Sequence, residues 1–198
     1  MASQQWSLSM SAYEKAQALR KQLKSGVQII SAPQLFPTPR ELARRMAEVA
    51  DLCNYNRVLE PSAGTGNIMA ALLAENDTID LQAVEINQQL CKSLQRLYPE
   101  IPIFCRDFLG YTSEFNHHYD RIVMNPPFAN AQDIAHIKHA MTLLVDDGLL
   151  VAICANGPRQ NEQLKPLADS WEVLPDGTFS ESGTNVSTVL LTLRRKPE

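Results

Sequence analysis

The residues best suited to chemistry are Asn125-Pro126-Pro127-Phe128, at the exit of an apolar stretch that contains Ile122, Val123 and Met124. Two consecutive prolines fix the local backbone and remove two amide donors. They hold carbonyl oxygens outward without starting a helix, and Asn125 adds a side-chain carbonyl. Oxygens arranged in this way can accept both hydrogens of a flat amino group. Phe128 can then stack on an aromatic ring that carries such a group. The same four residues also suit a rigid strand exit whose phenylalanine anchors in the core.

A second cluster lies earlier. Residues 57–60 run into Pro61-Ser62-Ala63-Gly64-Thr65-Gly66, and a helical pattern follows at once. A strand, a tight glycine turn and a helix bring backbone amides close to a ligand, and a side chain at Gly64 or Gly66 would obstruct that approach. The turn lacks both the full GxGxxG dinucleotide pattern and the lysine of a phosphate loop. A merely structural turn remains open for it. Glu85 ends the next strand, where a carboxylate can accept hydrogen bonds from both hydroxyls of a ribose. Asp107 lies just past a third strand, placed to accept from an adenine amino group, with Phe108 packing on the purine face. Taken singly, Glu85 also reads as a solvated strand-end carboxylate and Asp107 as a turn cap. At successive strand ends the three stations suit one nucleoside pocket.

Such stations need a frame, and the pattern supplies one. Strands are expected at 57–60, 79–85, 101–105, 120–125 and 149–154, with helices at 67–75, 88–97 and 134–145 between them. Pro39 suits a first helical turn with Thr38 as its cap, and Leu42, Met46 and Val49 give that helix an apolar face. Continuous apolar strands suit a sheet covered on both faces. The alternation implies a mostly parallel sheet flanked by helices. Residues 171–174 and 186–193 read as closing, partly antiparallel strands, joined by a polar segment at 175–185. Before the core, 11–24 reads as a helix with Tyr13, Ala16, Leu19 and Leu23 on one stripe, and 26–39 as a proline-rich connection. The division expected is an N-terminal helical extension over 1–32 and one domain over 33–198.

The chain has 198 residues, 44% hydrophobic and 20% charged, which suits one domain with a sizeable core. It has no long apolar run and no secretion signal at its start, so a cytoplasmic protein without a membrane partner is expected. Cys53, Cys91, Cys105 and Cys154 form no compact metal pattern; free, mostly buried thiols and no metal site are expected. The net charge of -4 gives nucleic-acid binding no global help. His136, Lys138, His139 and Arg159 are candidate contacts to a nucleic-acid backbone, although a solvated helix surface is the better reading of the first three. His117 and His118 read as a polar loop, and 180–185 either borders the cleft or simply joins two strands.

Together these motifs resemble the class I methyltransferases, specifically those that act on the adenine amino group in DNA, of the compact phage or mobile-element type. The matching pieces are Phe36-Pro37-Thr38-Pro39, Glu60 to Gly66, Glu85, Asp107-Phe108 and Asn125 to Phe128. The resemblance implies an α/β, Rossmann-like three-layer sandwich with a mostly parallel sheet and an antiparallel C-terminal end. It implies S-adenosyl-L-methionine as cofactor. Phe36, Pro37 and Thr38 would shape and hold its methionine end. Glu60 and the turn Pro61, Ser62, Ala63, Gly64, Thr65 and Gly66 would orient the methionyl and ribose portions. Glu85 would bind the ribose, and Asp107 with Phe108 the adenine. Asn125 and the Pro126 carbonyl, held by Pro127, would bind the acceptor amine, and Phe128 would stack on its ring. The expected reaction is direct in-line methyl transfer to adenine N6 in DNA.

Members that read a DNA sequence commonly carry a separate recognition region after the catalytic loop. Here residues 129–198 are mostly needed for the core, so target choice is expected from short loops, a specificity-providing partner or a homo-oligomer. Methylation of RNA adenine or of a protein glutamine amide are alternatives, because each presents a planar amino group. Nicotinamide-dependent oxidoreduction and a non-catalytic binding subunit are further ones. The incomplete dinucleotide pattern and the Asn125 to Phe128 loop speak against the oxidoreductase.

Overall fold

Successive residues of a strand point to opposite faces, so runs of consecutive apolar residues build a sheet with two covered faces. Val58, Ala83, Val123 and Val151 pack into one core, while their neighbours Leu59, Val84, Ile122 and Leu150 pack into another. The structure, a computed structural model, describes residues 36–112, 118–180 and 183–197, with Ser11, Glu14, Lys15, Gln17, Ala18 and Lys21 before them. Glu14, Lys15, Gln17, Ala18 and Lys21 are helical. The remainder of the expected 11–24 helix, most of the 26–39 connection and His117 lie outside the described residues.

The strands are β1 (Arg57–Glu60), β2 (Asp80–Glu85), β3 (Ile103–Cys105), β4 (Tyr119–Met124), β5 (Leu144–Ala155), β6 (Ser170–Val173) and β7 (Thr188–Arg194). They form one sheet in the order β3-β2-β1-β4-β5-β7-β6. Pairing is parallel from β3 through to β5, and β7 runs antiparallel to both β5 and β6. The helices are α1 (Arg40–Val49), α2 (Asn67–Glu75), α3 (Gln88–Leu97), α4 (Gln132–Thr142) and α5 (Pro158–Gln163). Residues of α1, α2 and α3 fill one core and residues of α4 the other, which gives three layers. Strand order reverses between β1 and β4. A crevice therefore opens beyond their carboxyl ends, where a doubly wound sheet receives its ligand.

Several expectations need correction. The N-cap position of α1 is Pro39, and no side chain caps it, so Thr38 has another task. The helix expected at 134–145 starts and ends earlier, and β5 begins at Leu144 because that residue pairs with Tyr119. The helix α5 carries little apolar periodicity and was not foreseen. The cysteines are not all free: Cys91 on α3 and Cys105 at the end of β3 form a disulfide, their Cα atoms 5.7 Å apart. The β2–α3–β3 crossover lays the helix beside the third strand, a proximity that linear spacing does not reveal. Cys53 is free and exposed, and Cys154 is free and buried. Among the described residues no helix is long and apolar enough to cross a membrane.

Candidate functional site

Glu60 closes β1 and is 1% exposed. One of its carboxylate oxygens takes the Met69 amide in the first turn of α2, a helix whose N-cap Gly66 offers no side-chain cap. The other oxygen, Oε2, has no partner among the described residues. Burial raises the Glu60 carboxyl well above the ordinary glutamate range, and Glu85 adds to the rise.

The turn from Pro61 to Gly66 places Gly64 at φ 53° and Gly66 at φ 81°, conformations that L side chains rarely adopt. The Gly66 requirement differs from the one expected. A Cβ there would lie 2.8 Å from Leu94 Cδ2 on α3, so it would disturb helix packing rather than block a ligand. Glu85, at the end of β2, accepts from the Gly64 amide through Oε2 and from the Asn87 amide through Oε1, both at 2.7 Å. It ties the glycine turn to the start of α3, and each oxygen keeps a further lone pair. Burial raises its pKa as well. Asp107 caps the short turn Phe108–Gly110, with Oδ1 accepting from the Leu109 amide at 3.0 Å. The cap reading is thus correct for one oxygen and leaves the second for a ligand.

Asn125 follows β4. Its Nδ2 donates to the Phe36 carbonyl at 3.1 Å and to Thr38 Oγ1 at 3.0 Å. A carbonyl can only accept, so Phe36 fixes which end of the amide faces it. The oxygen Oδ1 therefore points the other way, buried and without a partner among the described residues. The Phe36–Pro39 segment is itself held by Asn67 Nδ2, which donates to the Thr38 carbonyl at 2.7 Å. This is the task of Thr38: to orient Asn125 rather than to cap α1.

These groups surround one cavity of about 440 Å³. Its walls include Phe36, Pro37 and Thr38 on one side and Asn125, Pro126 and Pro127 beside them. Glu60 and the turn residues Pro61, Ser62, Ala63, Gly64 and Thr65 form the floor region, with Glu85, Asp107 and Phe108 beyond. Two expected residues do not line it: Gly66, and Phe128, which is 8% exposed. The Phe128 ring lies parallel to Phe36 at 6.2 Å and edge-on to Phe179 at 6.1 Å, which is the core-anchor arrangement.

The structure adds residues that the sequence did not single out. Ile86 and Leu109 line the cavity while 67% and 42% exposed. Each directly follows a station, Glu85 or Phe108, and an apolar residue at a strand exit was the available signal. Gln132 also lines it, and with it on one face of α4 stands His136, which the sequence offered as a nucleic-acid backbone contact instead. His136 is buried in this wall, not on a solvated surface. His139 is half-buried with Nε2 at 2.8 Å from the Tyr111 carbonyl, and Lys138 donates to Gln163, so neither is an unengaged backbone contact. Arg159 and His118 are exposed. No metal-binding group of His, Cys, Asp or Glu occurs among the described residues.

The sheet order, the antiparallel β7 and a cavity at the switch point define the class I S-adenosylmethionine-dependent methyltransferase fold. Residues 31–178 match the methyltransferase small domain, and the chain belongs to that family. Among curated relatives, the type II methyltransferase M.AccI of Acinetobacter calcoaceticus is 26% identical over 102 residues. That match covers 50% of this chain but only 18% of the relative, so the chain spans under a fifth of that protein. The tRNA1(Val) (adenine(37)-N6)-methyltransferase of Flavobacterium psychrophilum is 26% identical over 160 residues, covering 68% of each. Among solved structures, a putative RNA methyltransferase, PH1948, from Pyrococcus horikoshii superposes with a TM-score of 0.67 at 16% identity, over 93% of this chain and 96% of that one.

Proposed function

We propose that this chain transfers a methyl group from S-adenosylmethionine to the exocyclic amino nitrogen of adenine in RNA. The observation that carries amino-nitrogen chemistry is the Asn125 amide, pinned at Nδ2 with Oδ1 left as an unsatisfied acceptor. The cofactor fits the cavity on two grounds. Its volume of about 440 Å³ lies within the range of small-molecule sites. Glu60 Oε2 and Thr65 Oγ1, buried without partners among the described residues, belong to the same walls as Asn125 and suit an ammonium and a hydroxyl.

Glu60 would receive the ammonium of the methionine end, with Phe36, Pro37 and Thr38 forming its rim. The Gly64 to Gly66 turn would bring its backbone close, and the remaining lone pairs of Glu85 would take the ribose hydroxyls. Asp107 would take the adenine amino group, with Phe108, Ile86 and Leu109 packing around the purine. Bound S-adenosylmethionine supplies an electrophilic methyl group and leaves as the neutral thioether. Adenine's amino nitrogen is a poor nucleophile because its lone pair is shared with the ring. Asn125 Oδ1 and the Pro126 carbonyl would accept its two hydrogens and stabilise positive charge that develops on nitrogen during an in-line attack. The extra proton is lost to water after transfer, so no side-chain base is required. For Phe128 to stack on the acceptor base, its ring would leave Phe36.

RNA is preferred because similarity to the tRNA adenine methyltransferase spans most of both proteins. The described residues after β5 belong to the sheet and its connections, with no added recognition domain among them. An unstacked loop adenine would also reach the cavity without duplex opening. DNA adenine is the second reading, favoured by the match to M.AccI. Residues 33–198 would constitute the methyltransferase domain, and 1–32 an extension. The test incubates the protein with labelled cofactor and unmethylated tRNA, DNA or protein extract, followed by nucleoside analysis. N6-methyladenosine from RNA is expected. Label confined to DNA or to protein would reject the RNA assignment.

A further inference from the structure

The end of the cavity that carries Asp107 is fastened by the disulfide. The strand β3 has three residues and lies at one edge of the sheet, paired with β2. Its last residue, Cys105, stands in register with Glu85, and residues Arg106 to Leu109 then line the cavity without a break. Cys105 is bonded to Cys91 on α3, and Leu90, the residue before Cys91, lines the cavity too. The start of that helix is held by Glu85, which accepts from the Asn87 amide. The bond therefore joins two walls of the site, the helix after β2 and the exit of β3.

Few other ties fix that exit. A short strand at a sheet edge lies at the low-stability end of a fold. With the disulfide open, Gln95 on α3 still reaches it, with Nε2 at 2.8 Å from the Ile103 carbonyl and 3.8 Å from Cys105 Sγ. Beyond the exit, Phe108 is anchored against the rings of His136 and His139. Arg106 and Asp107 span the gap between this anchor and the disulfide. The bond that Asp107 accepts is local, from the Leu109 amide two residues on, so it shapes the turn without tying it to α3 or to β2.

We propose that the Cys91–Cys105 bond is a redox switch on cofactor binding: closed, it holds Asp107 in place for the ligand, and open, it lets the exit of β3 loosen so that affinity falls. This rests on the cofactor reading above and deepens it. The two cysteines differ in access, since Cys91 is 0% exposed and Cys105 is exposed. A dithiol reductant therefore attacks at Cys105. Its thiolate forms a mixed disulfide there and displaces the Cys91 sulfur, which takes up a proton. The reductant's second thiol then displaces Cys105 as a thiol. Two electrons and two protons pass to the protein, and the dithiol leaves as its own disulfide.

The test is calorimetry of S-adenosylhomocysteine on the oxidised protein, on the same sample reduced with dithiothreitol, and after reoxidation. Thiol counting on denatured protein should find two free cysteines of the four before reduction and all four after it. Reduction should weaken binding about three- to tenfold, as expected when one side chain must be ordered afresh by the ligand, and reoxidation should restore it. Cys105→Ser should bind like the reduced protein and ignore dithiothreitol. A merely structural crosslink gives a lower urea midpoint with affinity unchanged, and that result on wild type overturns the proposal whether or not the variant folds. Four free thiols in the oxidised sample, or a folded Cys105→Ser that still responds to reductant, overturns it as well. If neither redox state binds, the cofactor reading falls and takes this inference with it, whereas equal binding in both states removes only the switch.

Discussion

Replacing Asn125 by aspartate separates two ideas about the catalytic loop. If the loop needed only an acceptor, the carboxylate would serve as well as the amide or better. If the loop needs an oriented acceptor, aspartate fails, because the group facing the Phe36 carbonyl must donate. The Nδ2 bonds in question are 3.1 Å to Phe36 and 3.0 Å to Thr38 Oγ1. Thr38 can rotate its hydroxyl and donate to the new oxygen, so that bond survives. Phe36 cannot, and two acceptors then face each other in a half-buried place. Loss of one net bond, about 1 kcal/mol, joins the cost of an unsatisfied buried acceptor, about 1–3 kcal/mol. A penalty of about 2–4 kcal/mol on the geometry of the amine site corresponds to a transfer rate roughly thirty-fold to several-hundred-fold lower. The assay is single-turnover methyl transfer to RNA at saturating cofactor, with calorimetry of S-adenosylhomocysteine to confirm an intact cofactor site. A rate within about threefold of wild type, at normal cofactor affinity, would refute the orientation argument.

Other expectations follow from the same geometry. Burial raises Glu60 above its ordinary value of 4.5, so its contribution to stability is whole below that pH and is lost as pH rises through the elevated value. Glu60→Gln should therefore flatten the decline in unfolding free energy of the unligated protein as pH rises above 4.5, measured by urea titration; an unchanged slope would count against it. Reduction of the Cys91–Cys105 bond, which closes a segment with a sequence separation of 14, should lower stability by about 3 kcal/mol in the same titration. An unmoved midpoint with added dithiothreitol would contradict that. Gly66→Ala should lower the unfolding free energy by about 1–3 kcal/mol through φ strain and the Leu94 contact, with less effect on cofactor affinity than Gly64→Ala. Equal loss of affinity in both would place Gly66 at the ligand after all.

The fold was legible because its signals are local. Short runs of consecutive apolar residues in β1, β2 and β4 and the longer one in β5 mark the sheet, and the short turn after Glu60 fixes where it meets α2. Most cavity residues were legible for a related reason, since they sit at strand exits that the same pattern locates. Relations between distant segments were not. Nothing adjacent to Thr38 says that its hydroxyl will meet Asn125, since the contact depends on how the segment before α1 crosses the end of β4. His136 looked like a surface residue because α4 is only weakly amphipathic, and its cavity face is polar rather than apolar. Phe128 suited both a stacking and an anchoring role, and only packing against Phe36 and Phe179 separates them in this state. The disulfide escaped because redox expectations came from spacing alone.

The most direct test of the oriented acceptor is a crystal structure with sinefungin in the cavity and adenosine as acceptor. The expected result has the adenosine amino group within hydrogen-bond distance of Asn125 Oδ1 and the Pro126 carbonyl, with Nδ2 still bound to Phe36 and Thr38. Adenosine bound with its amine directed elsewhere, while Oδ1 stays covered by protein, would contradict it.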